Sequence, residues 1–225
     1  MRRRTLLLLA GSVALVVLCL PFDAGLVRAL AVEDKGPLEE KGWYQVLRQT
    51  GYLPTWLLLA FLIYLHDRAR PPAPAGLHTP PAAAPPDHHR AGLVALSAAL
   101  SGLAAEILKL VFMRSRPNLE NDGAVTFSTP FTGFIPGNGG GLGLPSSHTA
   151  VAFGGCVMLG LLLRPVRWPL VLLAAGCGLS RLLAGAHNLS DVVAGALVAT
   201  WIATALYREG EGLRRAPGRG LIVRP

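Results

Sequence analysis

Long apolar stretches separated by short polar segments run through the whole chain. Six of them reach or approach the length of about 20 residues that a helix needs to cross a hydrocarbon core. They cover residues 5–22, 52–65, 91–112, 146–163, 168–186 and 189–207. The second has the shortest uninterrupted run and must borrow residues 43–47 to span. The first follows Arg2-Arg3-Arg4 and is followed by Ala29-Leu30-Ala31, which is also the layout of a signal peptide. That run approaches spanning length and the cleavage-like triplet lies well beyond it, so it is read as a retained span. The predicted fold class is all-α: a polytopic membrane helical bundle of about six transmembrane helices.

The polar segments between the spans set orientation and organisation. With the amino terminus inside, the inner segments carry Arg2, Arg3 and Arg4, then Arg68, Arg70 and Arg90, then Arg164 and Arg167, then Arg208, Arg214, Arg215, Arg219 and Arg224. Cytoplasmic loops are enriched in such cations, which predicts that both termini face the cytoplasm. Between the first two spans Arg28, Lys35, Lys41 and Arg48 are offset by Asp23, Glu33, Asp34, Glu39 and Glu40. Residues 71–86 are too proline-dense for helix or sheet and read as part of a cytoplasmic linker. The expected organisation is two amino-terminal helices with an outer loop (1–70), a linker (71–90), a four-helix core (91–207) and a basic cytoplasmic tail (208–225). No internal repeat is visible, and the sequence sets no oligomeric state.

Composition agrees with a membrane protein. Hydrophobic residues make up 52% of the 225 and charged residues 15%, and the mean hydropathy is +0.45, which disfavours a soluble globular domain. The net charge of +8 is spread over short segments and forms no single patch interleaved with aromatics, so nucleic acid is not an expected partner. Cys19, Cys156 and Cys177 are odd in number and lie inside apolar runs, which argues against a disulfide framework or a thiolate metal site.

Three polar clusters stand at the ends of apolar segments, where a membrane protein least easily carries idle charge. The first is Lys109 with Arg116-Pro117. Seven residues return a side chain to nearly the same helical face, which would point both cations one way, while Pro117 biases Arg116 toward extended backbone and ends the helix nearby. Taken alone, Lys109 as a snorkelling side chain and Arg116 as a loop charge fit equally well. Glu106, one turn before Lys109, reads as its ion-pair partner.

The second cluster, Pro145-Ser146-Ser147-His148, is a helix-start signature, with a serine available as N-cap before an apolar run. The free N–H groups and dipole of such a start favour an anion. The third, Ser180-Arg181 with His187 and Asp191, places a carboxylate one helical turn after a histidine. Asp191 can there hold one ring nitrogen of His187 while the other attacks. A structural ion pair between Arg181 and Asp191 is the alternative. Asn188-Leu189-Ser190 formally matches a glycosylation sequon but lies between two residues of this cluster. The predicted topology brings all three clusters to the outer face.

Lys109-x6-Arg116-Pro117, Pro145-Ser146-Ser147-His148 and Ser180-Arg181-x5-His187-x3-Asp191 resemble, in order, the three signature motifs of the type 2 phosphatidic acid phosphatase and haloperoxidase superfamily. Two positions depart: Ser147 stands where the family usually has glycine, and Leu189 where many members have proline. The resemblance implies catalytic roles for His187, Asp191 and His148. His187 would form a phosphohistidine, Asp191 would fix its tautomer, and His148 would protonate the leaving oxygen and then activate water. It also implies a phosphate cradle of Lys109, Arg116, Ser146, Ser147 and Arg181, with cations in place of a metal and no cofactor.

Residues 118–144, with Gly137-Asn138-Gly139-Gly140-Gly141-Leu142-Gly143, lack the lysine and hydroxyl residue of a nucleotide P-loop and read as either a lid or a spacer. Glu120 and Asp122 are expected to be solvated, and His66, His78, His88 and His89 to lie on the cytoplasmic side. The implied activity is hydrolysis of a lipid phosphate or diphosphate at the outer face of the cell membrane. Undecaprenyl diphosphate is the first choice, ahead of phosphatidylglycerophosphate, phosphatidate and lipid A phosphates. A lipid phosphotransferase would use the same residues. A non-enzymatic scaffold or transporter binding anionic headgroups would need only the cations.

Overall fold

The computed structural model describes residues 2–69, 88–118 and 141–215. The proline-rich stretch, most of the glycine-rich loop and the end of the basic tail lie outside the described residues. Within them the chain is a helical bundle, and the one extended pairing is an isolated antiparallel bridge between Ser115 and Leu142. The helices are α1 (Arg2–Cys19), α2 (Asp23–Leu30), α3 (Gly36–Glu39), α4 (Gly42–Gln49), α5 (Leu53–Arg68), α6 (His88–Phe112), α7 (Ser147–Leu162), α8 (Arg167–Leu183) and α9 (Leu189–Arg215).

Among the described residues, four unbent helical stretches are long and apolar enough to cross a membrane: Arg3–Leu30, His89–Phe112, Arg164–Leu183 and Leu189–Gly210. The second expected span takes residues 43–47 only across a bend: α4 and α5 are together long and apolar enough to cross, but they meet at 73°. The bend follows from Pro54 in the first turn of α5 and from a Thr50-Gly51-Tyr52 corner, pinned by a 2.7 Å hydrogen bond from Trp56 Nε1 to the Thr50 carbonyl. The fourth expected span, α7, has 16 residues and rises only about 24 Å, short of a full hydrocarbon core.

Helix α7 is the centre of the bundle, packed on α6, α8 and α9. Small residues permit this. Ser97 of α6 donates to the Gly154 carbonyl at 2.7 Å, and a methyl group on Gly155 would lie 2.2 Å from the Trp56 ring. Close backbone approach at glycine, alanine and serine is how helices associate where lipid competes for apolar surface. Trp56, Val94, Ala98, Ala152, Cys156 and Met158 are among the buried residues of this core.

The amino-terminal part wraps one flank and one end. Helix α1 presents Leu6, Leu7 and Leu8 outward, each at least 60% exposed, the surface of a helix that faces lipid. It meets α9, where Trp201 Nε1 donates to Ser12 Oγ at 3.2 Å. Beyond α1 the chain folds over the end of the bundle where α6 and α8 finish and α7 and α9 begin. Val32 N–H donates to the Leu183 carbonyl at 2.9 Å, and Leu38 and Tyr44 pack on Ala184.

Candidate active site

Antiparallel packing of α6 to α9 delivers the three clusters to that same end of the bundle. The first does not sit on one helix as expected. Helix α6 stops at Phe112, and Met113 takes a left-handed conformation (φ 50°) with its N–H on the Lys109 carbonyl at 2.9 Å. From there the chain is extended, as Pro117 predicts for Arg116. Arg116 N–H donates to the Gly141 carbonyl at 3.0 Å and Gly143 N–H to the Arg114 carbonyl at 2.7 Å. Lys109 is therefore helical and buried, whereas Arg116 belongs to a two-stranded rim and is exposed. Lys109 Nζ donates to Glu106 Oε1 at 2.8 Å, the partner expected, and to Ser147 Oγ at 3.0 Å.

Ser146 is the N-cap of α7. Its backbone is extended, and its Oγ accepts from Thr149 Oγ1 at 3.0 Å and faces Thr149 N–H at 3.5 Å. Ser147 and His148 form the first turn. His148 Nε2 is buried without a hydrogen-bond partner, and its ring meets the Tyr52 ring edge-on with centroids 4.9 Å apart. Arg181, His187, Arg48 and Lys109 all lie within electrostatic reach of it.

A left-handed glycine shapes the third cluster. At the end of α8, Gly185 (φ 57°) donates to the Leu182 carbonyl at 2.9 Å and Ala186 to the Arg181 carbonyl at 3.0 Å, a Schellman turn that only glycine enters without strain. The turn reverses the chain and leaves His187 buried, 1% exposed, before α9 starts. His187 Nδ1 lies 3.5 Å from Asp191 Oδ2, longer than a formed hydrogen bond, and has no other partner. Burial pushes the His187 imidazole below its ordinary value, and Arg116 and Arg181 push the same way while Asp191 opposes them. Asn188 and Ser190 of the sequon are fully buried.

Asp191 is tied at three atoms. Oδ2 accepts from Asn188 N–H at 2.9 Å, Oδ1 accepts from Arg114 Nη1 at 3.0 Å, and its carbonyl accepts from Ser146 N–H at 2.9 Å. Gly143 passes so near that a methyl group there would lie 3.0 Å from Asp191 Oδ2. The guanidinium on Asp191 is thus Arg114, not Arg181, whose own Nε is buried without a partner. Three contacts close the clusters into a ring: Lys109 to Ser147, Ser146 to Asp191, and Arg114 to Asp191.

A family model described as the PAP2 superfamily matches residues 90–213, more than half of the chain. The chain belongs to the PAP2 superfamily. Lipid A 1-phosphatase of Rhizobium etli is 32% identical over 101 residues, which cover 45% of this chain and 42% of that protein, so the chain spans less than half the length of the curated relative it matches. No solved structure matches.

Several residues around this PAP2 site escape a motif-based reading. Arg114, 2% exposed, pairs with Asp191 and with Asp23 Oδ2 at 2.7 Å. Asp23 is buried, although in the sequence it counts only as one acid offsetting loop cations. Tyr52 and Gly51 lie against His148, and Arg48 reaches to 5.9 Å from the Tyr52 ring centre. Arg114 carries a usable signal, a second arginine two positions before Arg116. Asp23 and Tyr52 carry none, because they reach the site only through tertiary packing.

Proposed function

We propose that this PAP2 protein is an integral membrane phosphatase that hydrolyses a lipid phosphate or diphosphate at the outer face through a phosphohistidine. The observation that carries this reading is the closed ring of contacts around Lys109, Ser146, Ser147, Arg114 and Asp191, with His148 and His187 beside it. Cations and a helix start cradle an anion, and two histidines flank it.

In the first step His187 Nε2 attacks phosphorus, the phosphorus to leaving-oxygen bond breaks, and His148 Nε2 gives its proton to that oxygen. In the second, His148 takes a proton from water, whose oxygen displaces His187 and releases phosphate. Asp191, facing Nδ1, holds the tautomer that leaves Nε2 free and offsets the positive charge that grows on the ring. Lys109, Arg116, Arg181 and the start of α7 hold the equatorial oxygens, the electrostatic positioning on which phosphoryl transfer mainly depends. The unpartnered Nε2 of His148 and Nε of Arg181 support these roles, since buried polar atoms without partners fit groups awaiting a ligand.

A lipid substrate follows from where the site lies. Helix α7 has only 16 residues and starts at the cradle, which fits a site near headgroup depth. An apolar groove of about 440 Å³, lined by Val13 and Val16 of α1, Leu108 and Phe112 of α6, and Leu197 and Trp201 of α9, reaches Arg114 and Pro145 and is the proposed side entry for an acyl or prenyl chain. Prenyl diphosphate, undecaprenyl diphosphate first, is the proposed substrate, with both termini cytoplasmic.

The test is phosphate release by detergent-purified protein from a panel of prenyl diphosphate, phosphatidylglycerophosphate, phosphatidate and lipid A, with and without a chelator. Release from at least one lipid, unaffected by chelator and reduced by His187→Ala by roughly 1,000-fold or more, is expected. Silence on every lipid rules the reading out, and chelator-sensitive release rules out its metal-free cradle.

A further inference from the structure

We infer that Asp23, at the junction of α1 and α2, is a positioning residue for the phosphoryl-transfer histidine, acting through Arg114 and Asp191. Asp23 lies 168 positions before Asp191 in the sequence (191 − 23) and belongs to none of the three clusters. Its carboxylate nevertheless makes three polar contacts, all buried. Oδ2 accepts from Arg114 Nη2 at 2.7 Å and from Ser190 Oγ, and Oδ1 accepts from Ser190 N–H at 2.9 Å. Arg114 Nη1 donates in turn to Ser190 Oγ and, at 3.0 Å, to Asp191 Oδ1. The Ser190 hydroxyl therefore joins both partners, donating to Asp23 and accepting from Arg114.

One guanidinium thus stands between two carboxylates, and the chemistry follows from that count. If Arg114 faced Asp191 alone, the two charges would cancel and Asp191 would offer His187 little net field. Because Asp23 takes the other edge of the guanidinium, the trio keeps one net negative charge, and Asp191 is the member that faces His187 Nδ1. Among the described residues, the other charged or titratable groups that act on His187 are Arg116 on the rim, Arg181 on α8 and His148 on α7, none of them negative. Asp23 also fixes the first turn of α9, through Ser190 N–H, and so the direction from which Asp191 approaches the ring. This inference rests on the phosphohistidine reading for its consequence in catalysis, but not for its electrostatics.

The experiment uses the full chain in detergent with Asp23→Asn, which keeps the shape and removes the charge, and Asp23→Glu, which restores it. Two readouts are taken: the titration midpoint of His187 by nitrogen-15 histidine NMR without lipid, and kcat and KM on whichever panel lipid the unaltered protein hydrolyses. For Asp23→Asn the expected results are a His187 midpoint lower by about half a unit or more and a kcat lower by roughly 10- to 100-fold at nearly constant KM, both largely recovered by Asp23→Glu. A folded Asp23→Asn protein with an unmoved His187 midpoint overturns the inference, whatever happens to its thermal stability. If no lipid is hydrolysed, the phosphatase reading fails, while the NMR arm still decides the role of Asp23.

Discussion

The four carboxy-terminal helices and the amino-terminal helices contribute to the same end of the bundle in different ways. Helices α6 to α9 bury their small residues against one another and hold the three polar clusters at their ends, so motif and scaffold are the same segments. Helix α1 buries little of its own surface, and α4 and α5 are two pieces bent at 73°, yet this half places Asp23 on Arg114 and Gly51 and Tyr52 on His148. One half carries the chemistry in its sequence, and the other limits how that chemistry can move. In a membrane, where apolar contact with a neighbouring helix gains little over contact with lipid, a few buried polar contacts are an efficient way to attach a peripheral helix.

The sharpest way to break this comparison is to cut the joint between the halves. Arg114→Met leaves the carboxylates of Asp23 and Asp191 buried without their cation, and a loss of about 3–5 kcal/mol is expected, together with loss of activity. Thermal unfolding in detergent measures it, and an unchanged midpoint would mean that the two halves are not joined there. A smaller effect is expected from Gly51→Ala. Its methyl group would sit 2.9 Å from His148 Cβ and 3.0 Å from both the His148 carbonyl and Cys177 Sγ, so the corner or the histidine must shift. A fall in kcat of roughly tenfold, with the fold retained, should appear in steady-state kinetics.

The mildest prediction concerns pH within the carboxy-terminal half. Burial holds His187 below its ordinary value near about 6.5, so the proposed nucleophile stays neutral as pH falls through that value. The acidic limb of kcat/KM assigned to His187 should therefore have its midpoint below about 6.5. The sign in stability agrees: the unfolded chain takes up this proton first, so the contribution of a neutral His187 is complete above about 6.5 and is lost as pH falls further. A limb at or above that value would show that Asp191 outweighs burial.

Much of this molecule is legible along the chain because helices are local. Span positions, the serine cap of α7, the turn-spaced His187 and Asp191, and the Glu106 to Lys109 pair all follow from spacing within one segment. The expectations that changed concern segments that meet others. Lys109 and Arg116 do not share a helix, because a strand-like pairing with residues 141–143 draws the chain out of α6 at Met113. Residues 43–47 meet the second span at a 73° bend, where the Thr50-Gly51-Tyr52 corner fits against His148 and Cys177. Asp191 takes Arg114 as its guanidinium partner, a choice between arginines that no spacing rule makes.

By itself the sequence determined that this is an apolar helical protein, and it named the residues proposed to bind and attack a phosphate. Those properties depend on hydropathy and on the 3.6-residue period of a single helix. Only the tertiary structure decided which charges neutralise which, and that Asp23, from the far end of the chain, closes the network behind Asp191. Pairing of buried charges depends on distances of about 3 Å between segments, and helix packing alone sets those distances.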